Sequence, residues 1–513
     1  MNVATELDAV ARDHPSSLAV ADDRRELTYA DLRAETDAVA GVLAEIGVEE
    51  GERVALYMPG SVTFVTAYLG TVKRGAVPVA LNLRFDIYET ESLLEPLEPT
   101  ALVTVERLES AADVLDVETL EHLLVDGGER GRSYHDLVSK ADPREVPAPR
   151  LDDYLAEVVF TRGTTDEPRG VLHTHGNLRA NAHALVHYWG LSSDDGALAA
   201  CPPFHVLGTH GMVLPVLTAG GTVYFPSGWD ESVLGLLEAR EVTVTLLVPG
   251  MLEDLLDHGV DGYDLAALRR TVVAGGPLES GLRDRAERAL ECRVTAAYGT
   301  TETMPATALE LATDRDQKPD LEPSFVGHPA NEVVEVRVLD LVIGEAAPAD
   351  RRGELLWRGD AVSPGYWGHP EANDELFVEL DGEFWLRSGD LGRVDDEGRV
   401  FVDGRTSDAV VTDEAVFLAS DIEDALYELD AIREAAVLTR SENPAVLVDC
   451  GGTDLSETTI RERCLDATDD TWAPGEVTFA ASFPRSAIRR MNSRTRGGDW
   501  FDRTDSDGPR LDT

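Results

Sequence analysis

The stretch FTRGTTDEPRG, residues 160–170, has the residue types of an anion-binding loop. It follows the apolar run LAEVVF, which predicts a buried strand, and its glycines and threonines offer backbone N–H groups and hydroxyls. Asp166 adds a negative charge to this loop, and no lysine follows Pro168, so the loop is not a P-loop of the GxxxxGK(S/T) type. The residues alone leave open whether the segment cradles a phosphate or only connects two elements.

Four more polar motifs follow along the chain: AGGPL (274–278), AYGTTET (297–303), WLRSGDLG (385–392) and VDGRTSD (402–408). The first two come at the ends of predicted parallel strands. Ligands of open α/β sheets gather at such strand ends. The last two add an acid and an arginine near a predicted domain boundary.

The elements that position these motifs alternate between strand and helix. RVALYM, SVTFVTAYLGTVKRG and AVPVALN read as strand, helix and strand, which predicts a parallel pair with a right-handed crossover. Residues 331–404 read as short alternating strands, which suggests an antiparallel or barrel-like unit. After Gly404 the pattern predicts a helix (420–429), two strands (432–440 and 445–450), a helix (457–466) and a strand (476–482).

The predicted fold class is therefore α/β. A large N-terminal domain of parallel and mixed sheets with helices, plus a small barrel-like β unit, spans 1–404. A small mobile α+β domain spans 405–500, and 501–513 is expected to be a disordered tail. A chain of 513 residues is too long for one core, in agreement with this division.

The charge balance is strongly acidic, with 96 acids against 45 bases and a net charge of −51. Lys73, Lys140 and Lys318 are the three lysines. Scattered acids of this kind resemble the solvated surface of a protein from a high-salt cytoplasm, and they argue against nucleic acid or an anionic membrane as a partner. No apolar run is long enough for a membrane span, and four cysteines without metal spacing suggest a reducing, cytoplasmic setting.

Taken in order, the motifs resemble those of the adenylate-forming enzymes, the superfamily of acyl-CoA synthetases, amino-acid adenylation domains and luciferases. The resemblance runs from about residue 20 to at least 490. It implies ATP, Mg²⁺ and CoA as cofactor and co-substrates, and a small carboxylic acid as substrate. The positions that it assigns to the nucleotide are Thr161, Gly163, Thr164, Thr165, Arg169, Gly275, Gly276, Tyr298, Gly299, Thr301, Asp390 and Arg405.

The resemblance also implies individual roles. Tyr298 would stack on adenine, Thr301 would contact the α-phosphate, and Glu302 would help to hold magnesium, a cation that prefers oxygen ligands. Asp390 would accept both ribose hydroxyls, and Arg405 would reach the same sugar.

The segment PPFHVLGTHG (202–211) matches the part of the CoA ligases that lines the acyl pocket. His205 would be a gate residue between the acid and the nucleotide there. Amino-acid adenylation domains carry an aspartate at this place to pair the substrate amine. An acid without an α-amino group is therefore favoured.

Several departures from the family pattern fall on chemistry. In the loop, Arg162, Asp166 and Arg169 stand where relatives have serine, glycine and lysine, and Arg169 keeps the positive charge as a planar fork. In PRSAIRRMNSR (484–494), Arg490 takes the place of the catalytic lysine. Ser407 replaces the usual hinge residue, and TDEAVFLAS (412–420) lacks the glycines that relatives place near CoA.

Three interpretations stay open. The first is a working acid–CoA ligase in which Thr301, His205 and Arg490 are catalytic and the acid is fatty or aryl. The second is a weak or inactive homologue that binds a nucleotide or an acyl ligand. The third is an adenylating ligase whose acceptor is not CoA. Chain length of the acid and oligomeric state do not follow from the sequence.

Overall fold

The structure, a computed structural model, describes residues 2–128, 131–143, 148–161, 167–311, 322–439, 444–451, 455–468 and 471–479. The strands are β1 Leu18–Ala21, β2 Glu26–Thr28, β3 Arg53–Tyr57, β4 Val77–Ala80, β5 Ala101–Val105, β6 His122–Asp126, β7 Arg132–Ser133, β8 Leu155–Phe160, β9 Gly170–Thr174, β10 Gly196–Leu198, β11 Thr222–Tyr224, β12 Val244–Leu247, β13 Arg270–Val273, β14 Arg293–Tyr298, β15 Ala308–Leu309, β16 Phe325–Pro329, β17 Glu335–Leu339, β18 Gly353–Arg358, β19 Phe377–Leu380, β20 Glu383–Val394, β21 Val400–Arg405, β22 Ala409–Val411, β23 Val416–Leu418, β24 Glu434–Leu438, β25 Ala445–Asp449 and β26 Glu476–Phe479.

The α-helices are α1 Val3–Asp13, α2 Tyr29–Glu45, α3 Val62–Arg74, α4 Ile87–Leu94, α5 Glu109–Ala112, α6 Tyr134–Lys140, α7 His175–Trp189, α8 Val206–Gly208, α9 Leu214–Thr218, α10 Ser232–Ala239, α11 Pro249–Asp257, α12 Ser280–Leu290, α13 Pro370–Leu376, α14 Ala419–Tyr427 and α15 Glu457–Ala467. In the part of the chain that the structure describes, no helix has both the length and the apolar character needed to cross a membrane.

The chain forms two compact units, Met1–Pro323 with Gly327–Glu335 and Arg358–Leu376, and Ser324–Val326 with Val336–Trp357 and Phe377–Thr513. The predicted limits 1–404, 405–500 and 501–513 stay predictions.

The first unit contains a seven-stranded sheet in the order β7–β6–β5–β3–β4–β8–β9, parallel except for the pair β8–β9. The predicted strand–helix–strand unit is β3–α3–β4, with the two strands parallel. Ser61 caps the start of α3 by accepting from the Phe64 N–H, and Gly75 ends it at φ +78°. Because both strands are almost wholly buried, they read as continuous apolar runs, as strands of a covered parallel sheet do.

The same unit contains a second sheet, with the order β2–β1–β11–β10–β12–β13–β14–β15. Strands β12, β13 and β14 are parallel neighbours, with Val273 of β13 opposite Ala296 of β14. Their carboxyl ends therefore lie at one edge of the sheet, and the motifs at 274–278 and 297–303 begin there.

In the second unit, the short strands predicted for 331–404 are present and pair antiparallel. Strand β20 lies between β18 and β21, and β19 also pairs with β20. The order is open, and no closed barrel is found among the described residues. The α/β fold class is confirmed.

The antiparallel hairpin β22–β23 follows β21 and was not predicted. From α14 onward, the described residues follow the predicted order of helix, strand, strand, helix and strand. Strand β25 pairs antiparallel with β24 and parallel with β26. The core of this part is built from Ile422 and Leu426 of α14 and Ile460 and Cys464 of α15, all fully buried. Full burial of one such aliphatic side chain contributes about 1.5–3 kcal/mol.

All four cysteines are free and buried. Burial raises the pKa of Cys464 to about 12 and also raises the pKa of Cys292 and Cys450. The thiols of these three cysteines are therefore weak nucleophiles.

Candidate active site

The ends of the loop after β8 are tied together. The Thr161 N–H donates to the Arg169 carbonyl at 2.9 Å, and the Arg169 N–H donates to the Thr161 hydroxyl at 2.9 Å. Thr161 and Arg169 are therefore fixed at the base of the loop. The other loop positions, 162–166, lie outside the described residues and include the predicted ligands Gly163, Thr164 and Thr165.

The turn after β14 is compact because a glycine starts it. A Cβ on Gly299 would lie 1.9 Å from the Met304 carbonyl oxygen, so only glycine fits without moving the backbone. Threonine side chains close the turn. The Thr300 N–H donates to the Thr303 hydroxyl at 3.0 Å, and the Glu302 N–H donates to the Thr300 hydroxyl at 3.2 Å.

The neighbouring turn after β13 is exposed and contains Gly275 and Gly276. Gly275 has φ +77°, a left-handed conformation that favours glycine. A Cβ on Gly276 would lie 3.2 Å from Pro249. Tyr298 is half-buried at the end of β14. Backbone and aromatic ring thus line the strand edge where the sequence predicts a nucleotide.

Tyr366 joins two of the predicted site residues. Its hydroxyl donates to Glu302 Oε1 at 2.7 Å, and the Arg169 guanidinium lies 5.3 Å from the centre of its ring. Burial and the nearby Glu302 charge raise the pKa of Tyr366 well above its usual range, so the hydroxyl stays protonated and remains a donor. The cation of the loop and the acid of the turn are therefore held on one aromatic side chain.

A buried histidine contacts the backbone of the same turn. His173 Nε2 lies 2.8 Å from the Thr301 carbonyl oxygen, and His173 Nδ1 lies 2.7 Å from Glu157 Oε1. His210 also contacts Glu157, and the Tyr68 hydroxyl donates to the other oxygen of that carboxylate at 2.7 Å.

His205 precedes the short helix α8. Its Nδ1 accepts from the Leu207 N–H at 3.2 Å, which places the proton of the neutral ring on Nε2. A π-helical turn, Thr209–Val213, follows α8, and such turns are frequent at functional sites. The half-buried ring thus has a defined tautomer.

In the second unit, Asp390 and Arg405 face each other across the pair β20–β21. Asp390 Oδ1 lies 3.0 Å from Arg405 Nη1, and Arg405 also donates to the Ser388 carbonyl at 3.3 Å. The acid is buried and the arginine side chain is 58% exposed. The Asp390 carboxylate is therefore buried in the sheet, and the Arg405 guanidinium reaches the surface.

The segment 412–420, where relatives have glycines, forms the end of a hairpin and the start of α14. The Thr412 hydroxyl closes the turn between β22 and β23 by accepting from the Ala415 N–H at 2.9 Å. Ser407 is exposed, and its carbonyl accepts from the Thr439 hydroxyl at 2.6 Å. Arg490 lies outside the described residues.

The structure therefore brings Arg169, Thr301 and Glu302 into one connected group in the first unit, and Asp390 and Arg405 into contact in the second. The sequence prediction missed Tyr366 and His173. A signal for Tyr366 exists in the aromatic run GYWGHP at 365–370. No comparable signal marks His173.

Comparison with known proteins agrees with this geometry. Residues 7–367 match the family model described as AMP-binding enzyme. The chain is 31% identical over 436 residues to a feruloyl-CoA synthase of an Amycolatopsis species, covering 83% of each chain. It is 28% identical over 505 residues to an indoleacetate–CoA ligase of Aromatoleum aromaticum, covering 96% of each.

Among solved structures, ATP-bound MatB from Rhodopseudomonas palustris is similar, with a TM-score of 0.75, 25% identity and coverage of 96% of this chain and 99% of that one. The family match spans well over half of the chain, and the relatives are matched over most of their length. The chain therefore belongs to the AMP-binding enzyme family.

Proposed function

We propose that this chain is an AMP-forming acid–CoA ligase. The observation that carries the proposal is the contact of Tyr366 with both Arg169 and Glu302. It sets a cation at the base of the phosphate loop beside a carboxylate suited to a metal ion. Both groups are needed where a triphosphate binds, because the phosphates and their counter-ion must be held together.

The reaction has two steps. A carboxylate oxygen of the acid attacks the α-phosphorus of ATP, the bond to the bridging oxygen breaks, and pyrophosphate leaves. The CoA thiol, having lost its proton, then attacks the acyl carbon of the adenylate, and AMP leaves. Thr301 and Arg169 would stabilise charge on the phosphates, and His205 would separate the acid from the nucleotide.

Glu302 fits the role of a Mg²⁺ ligand. Its side chain is half-buried, and one of its oxygens is oriented by a neutral donor, Tyr366. Mg²⁺ is commonly held by one or two carboxylates together with substrate phosphates, and when bound it neutralises part of their charge. Asp390 would accept the ribose hydroxyls, with Arg405 beside it.

The proposed substrate is an aryl or fatty acid without an α-amino group. His205 supports this because it carries no carboxylate to pair an amine. The names of the two relatives given above refer to aryl acids. The net charge of −51 supports a role in a high-salt cytoplasm, where counter-ions screen the repulsion among acidic side chains.

The decisive experiment uses purified protein in molar KCl with Mg·ATP, CoA and a panel of aryl and aliphatic acids. Release of AMP and formation of a thioester are expected with at least one acid. Absence of AMP across the panel contradicts the proposal. Nucleotide binding without pyrophosphate exchange would indicate instead a binding homologue that has lost catalysis.

A second candidate is an adenylating ligase whose acceptor is a carrier-protein thiol or an amine. The hairpin β22–β23 favours it, because its turn is closed by the Thr412 hydroxyl and contains no glycine that would let a pantetheine arm approach the backbone. Pyrophosphate exchange without thioester formation from CoA would favour this candidate.

The role of Arg490 is tested separately. Arg490→Ala is expected to lower pyrophosphate exchange about 100-fold or more, because one preorganised donor is lost, and to leave ATP binding unchanged. Arg490→Lys, which restores the residue type of the relatives, is the matched variant. Unchanged exchange in Arg490→Ala would show that this arginine does not replace the lysine.

A further inference from the structure

A buried histidine contacts the backbone of the turn 299–304, which carries predicted nucleotide-site residues. The imidazole of His173 lies between the Thr301 carbonyl at 2.8 Å and Glu157 Oε1 at 2.7 Å. The side chain of His173 is 0% exposed and that of Glu157 is 2% exposed. Water is therefore excluded as a partner for either ring nitrogen.

Both partners of His173 are acceptors. A backbone carbonyl has no proton to give. The pKa of Glu157 also lies well below its usual range, because the attraction and hydrogen bonds of His210 and His173 outweigh the opposing effect of burial. Nε2 of His173 must therefore carry a proton and donate it to the Thr301 carbonyl. Nδ1 lies within hydrogen-bond distance of Glu157 and ties the ring to that carboxylate.

The remaining groups around the carboxylate agree with this assignment. His210 Nε2 contacts the same oxygen, Glu157 Oε1, and the rings of His173 and His210 meet edge to face at 5.1 Å. The Tyr68 hydroxyl donates to Oε2. Burial, with Glu157 beside it, raises the pKa of Tyr68 well above its usual range, so the hydroxyl stays a donor.

A metal ion is the competing interpretation, because the ligand atoms of Glu157, His173 and His210 lie within 4.8 Å of one another. Tetrahedral zinc with bonds of 2.0–2.1 Å would separate a nitrogen and an oxygen ligand by about 3.3 Å. The 2.7 Å from His173 Nδ1 to Glu157 is instead a direct hydrogen bond. The geometry favours the hydrogen bond over a shared metal ion.

We propose that His173 is a positioning residue for adenylation. Held by Glu157, it donates to the Thr301 carbonyl and fixes the turn 299–304. That turn presents the Thr301 hydroxyl and the Glu302 carboxylate to ATP. The inference rests on the proposed ligase function, since it assigns a role within the same site. A backbone shift of about 1 Å at such a place can lower a rate about 100-fold.

Two substitutions separate the two contacts of the ring. In His173→Gln, the amide nitrogen lies near the position of Nε2 and keeps the donor to Thr301. In His173→Asn, it lies near Nδ1 and keeps the donor to Glu157. Both variants are expected to lose stability, because each leaves one buried acceptor without its donor: Glu157 in His173→Gln and the Thr301 carbonyl in His173→Asn.

The expected difference is in catalysis. Pyrophosphate exchange in His173→Asn should fall about 100-fold in kcat with a smaller change in KM for the acid, whereas His173→Gln should stay within about 10-fold of the wild type. His175→Asn is the matched control. His175 is also buried at the same strand–helix junction, but its Nδ1 contacts the Val3 N–H, and burial lowers its pKa to about 4. The kcat of His175→Asn per folded molecule should equal that of the wild type.

The proposal is overturned if kcat falls equally in His173→Asn and His173→Gln and the fall is in proportion to their loss of stability. Nitrogen NMR of the labelled imidazole provides a readout independent of turnover. A proton on Nε2 of His173 is expected, and an Nε2 without a proton would contradict its role as the donor to the Thr301 carbonyl. Stoichiometric zinc in the purified protein, absent from His173→Asn, would also overturn the proposal in favour of a metal site.

Failure of the ligase proposal has a different signature. Binding of Mg²⁺ with a non-hydrolysable ATP analogue is measured by calorimetry for each variant. If the wild type binds the analogue but exchanges no pyrophosphate with any acid, the ligase proposal is wrong. In that case, weaker analogue binding by His173→Asn than by His173→Gln supports the positioning role. Equal binding by the two variants contradicts it.

Discussion

The turn after β14 and the turn between β22 and β23 are both closed by threonine hydroxyls, but they differ in their need for glycine. Gly299 starts the first turn, where a Cβ would lie 1.9 Å from the Met304 carbonyl. In the second, the Thr412 hydroxyl accepts from the N–H groups of Glu414 and Ala415, and no glycine is present.

The difference separates a position where the fold requires glycine from a turn that forms without it. Gly299 is required by the fold of its own turn, since the backbone of residue 304 packs against it. The second turn is stable without glycine because a side chain supplies the acceptor that closes it. Glycine is therefore dispensable for the folding of this turn, and its absence bears on ligand approach rather than on stability.

The largest expected effect comes from Gly299→Ala. The added methyl group must displace backbone, which should lower the free energy of unfolding by about 1–3 kcal/mol. Because the turn carries Thr301 and Glu302, pyrophosphate exchange should fall about 100-fold or more. Chemical unfolding and exchange assays measure the two effects.

Gly235→Ala is the control for this substitution. Gly235 lies within α10, and a Cβ there meets no atom within 4 Å. Alanine should stabilise the helix by up to about 1 kcal/mol and leave exchange unchanged. A Gly299→Ala variant that behaved like Gly235→Ala would show that the first turn does not need its glycine, and the contrast between the two turns would fail.

The next effect in size is that of Tyr366→Phe. The variant loses the hydrogen bond to Glu302 but keeps the ring beside Arg169. A hydrogen bond to a charged group contributes about 1.5–3 kcal/mol, and the half-buried site allows water to replace part of it. We expect kcat/KM for ATP to fall about 10-fold, with a higher Mg²⁺ requirement.

A double-mutant cycle with Glu302→Gln shows whether Tyr366 acts through that carboxylate. If it does, Tyr366→Phe should have little further effect in the Glu302→Gln background. Additive losses would mean that Tyr366 supports the site through its ring and Arg169 instead.

The sequence was sufficient for what depends on local pattern. The strand–helix alternation predicted β3–α3–β4, and the order of elements from α14 onward is as expected, whereas the hairpin β22–β23 before α14 was not predicted. Asp390 and Arg405 were predicted to reach one sugar, and they stand opposite each other on adjacent strands, although this does not test the role.

Contacts between distant segments could not be predicted in the same way. Tyr366 is 64 residues from Glu302, and His173 is 128 residues from Thr301. Neither pairing has a spacing signal, because each depends on how sheets and loops pack. The closure of the 412–415 turn by threonine was hidden for another reason. A missing glycine is visible in the sequence, but the hydroxyl that compensates for it is not.

A smaller effect is expected from Thr412→Val. The substitution preserves shape but removes the hydroxyl that closes the second turn, so the free energy of unfolding should fall by about 1 kcal/mol. Pyrophosphate exchange should change less than twofold. Thr412→Ser, which keeps the hydroxyl, should resemble the wild type. A large loss of exchange in Thr412→Val would contradict the separation between the two turns.

The smallest effect provides a baseline that involves neither turn. His135 Nε2 lies 2.7 Å from Asp126 Oδ1, and the Thr63 hydroxyl donates to Asp126 Oδ2 at 2.7 Å. The hydrogen bond from His135, against the opposing effect of burial, lowers the pKa of Asp126 to about 2, and the same bond raises the pKa of His135. Because His135 is 49% exposed, we expect Asp126→Asn to cost about 1 kcal/mol or less.

The pH dependence of this cost follows from the two directions. The lowered pKa of Asp126 gives a stabilising contribution that is complete above the unfolded-state pKa of 3.8. This contribution is lost as the pH falls towards the folded-state pKa of about 2. The raised pKa of His135 gives a stabilising contribution that is complete below the unfolded-state pKa of 6.5. This contribution is lost as the pH rises through the folded-state pKa. The difference between wild type and Asp126→Asn should therefore be greatest between about pH 4 and 6.5. Asp136→Asn removes the same charge from an exposed position and should show no such window; an identical window there would mean that net charge, not the pair, sets the pH response.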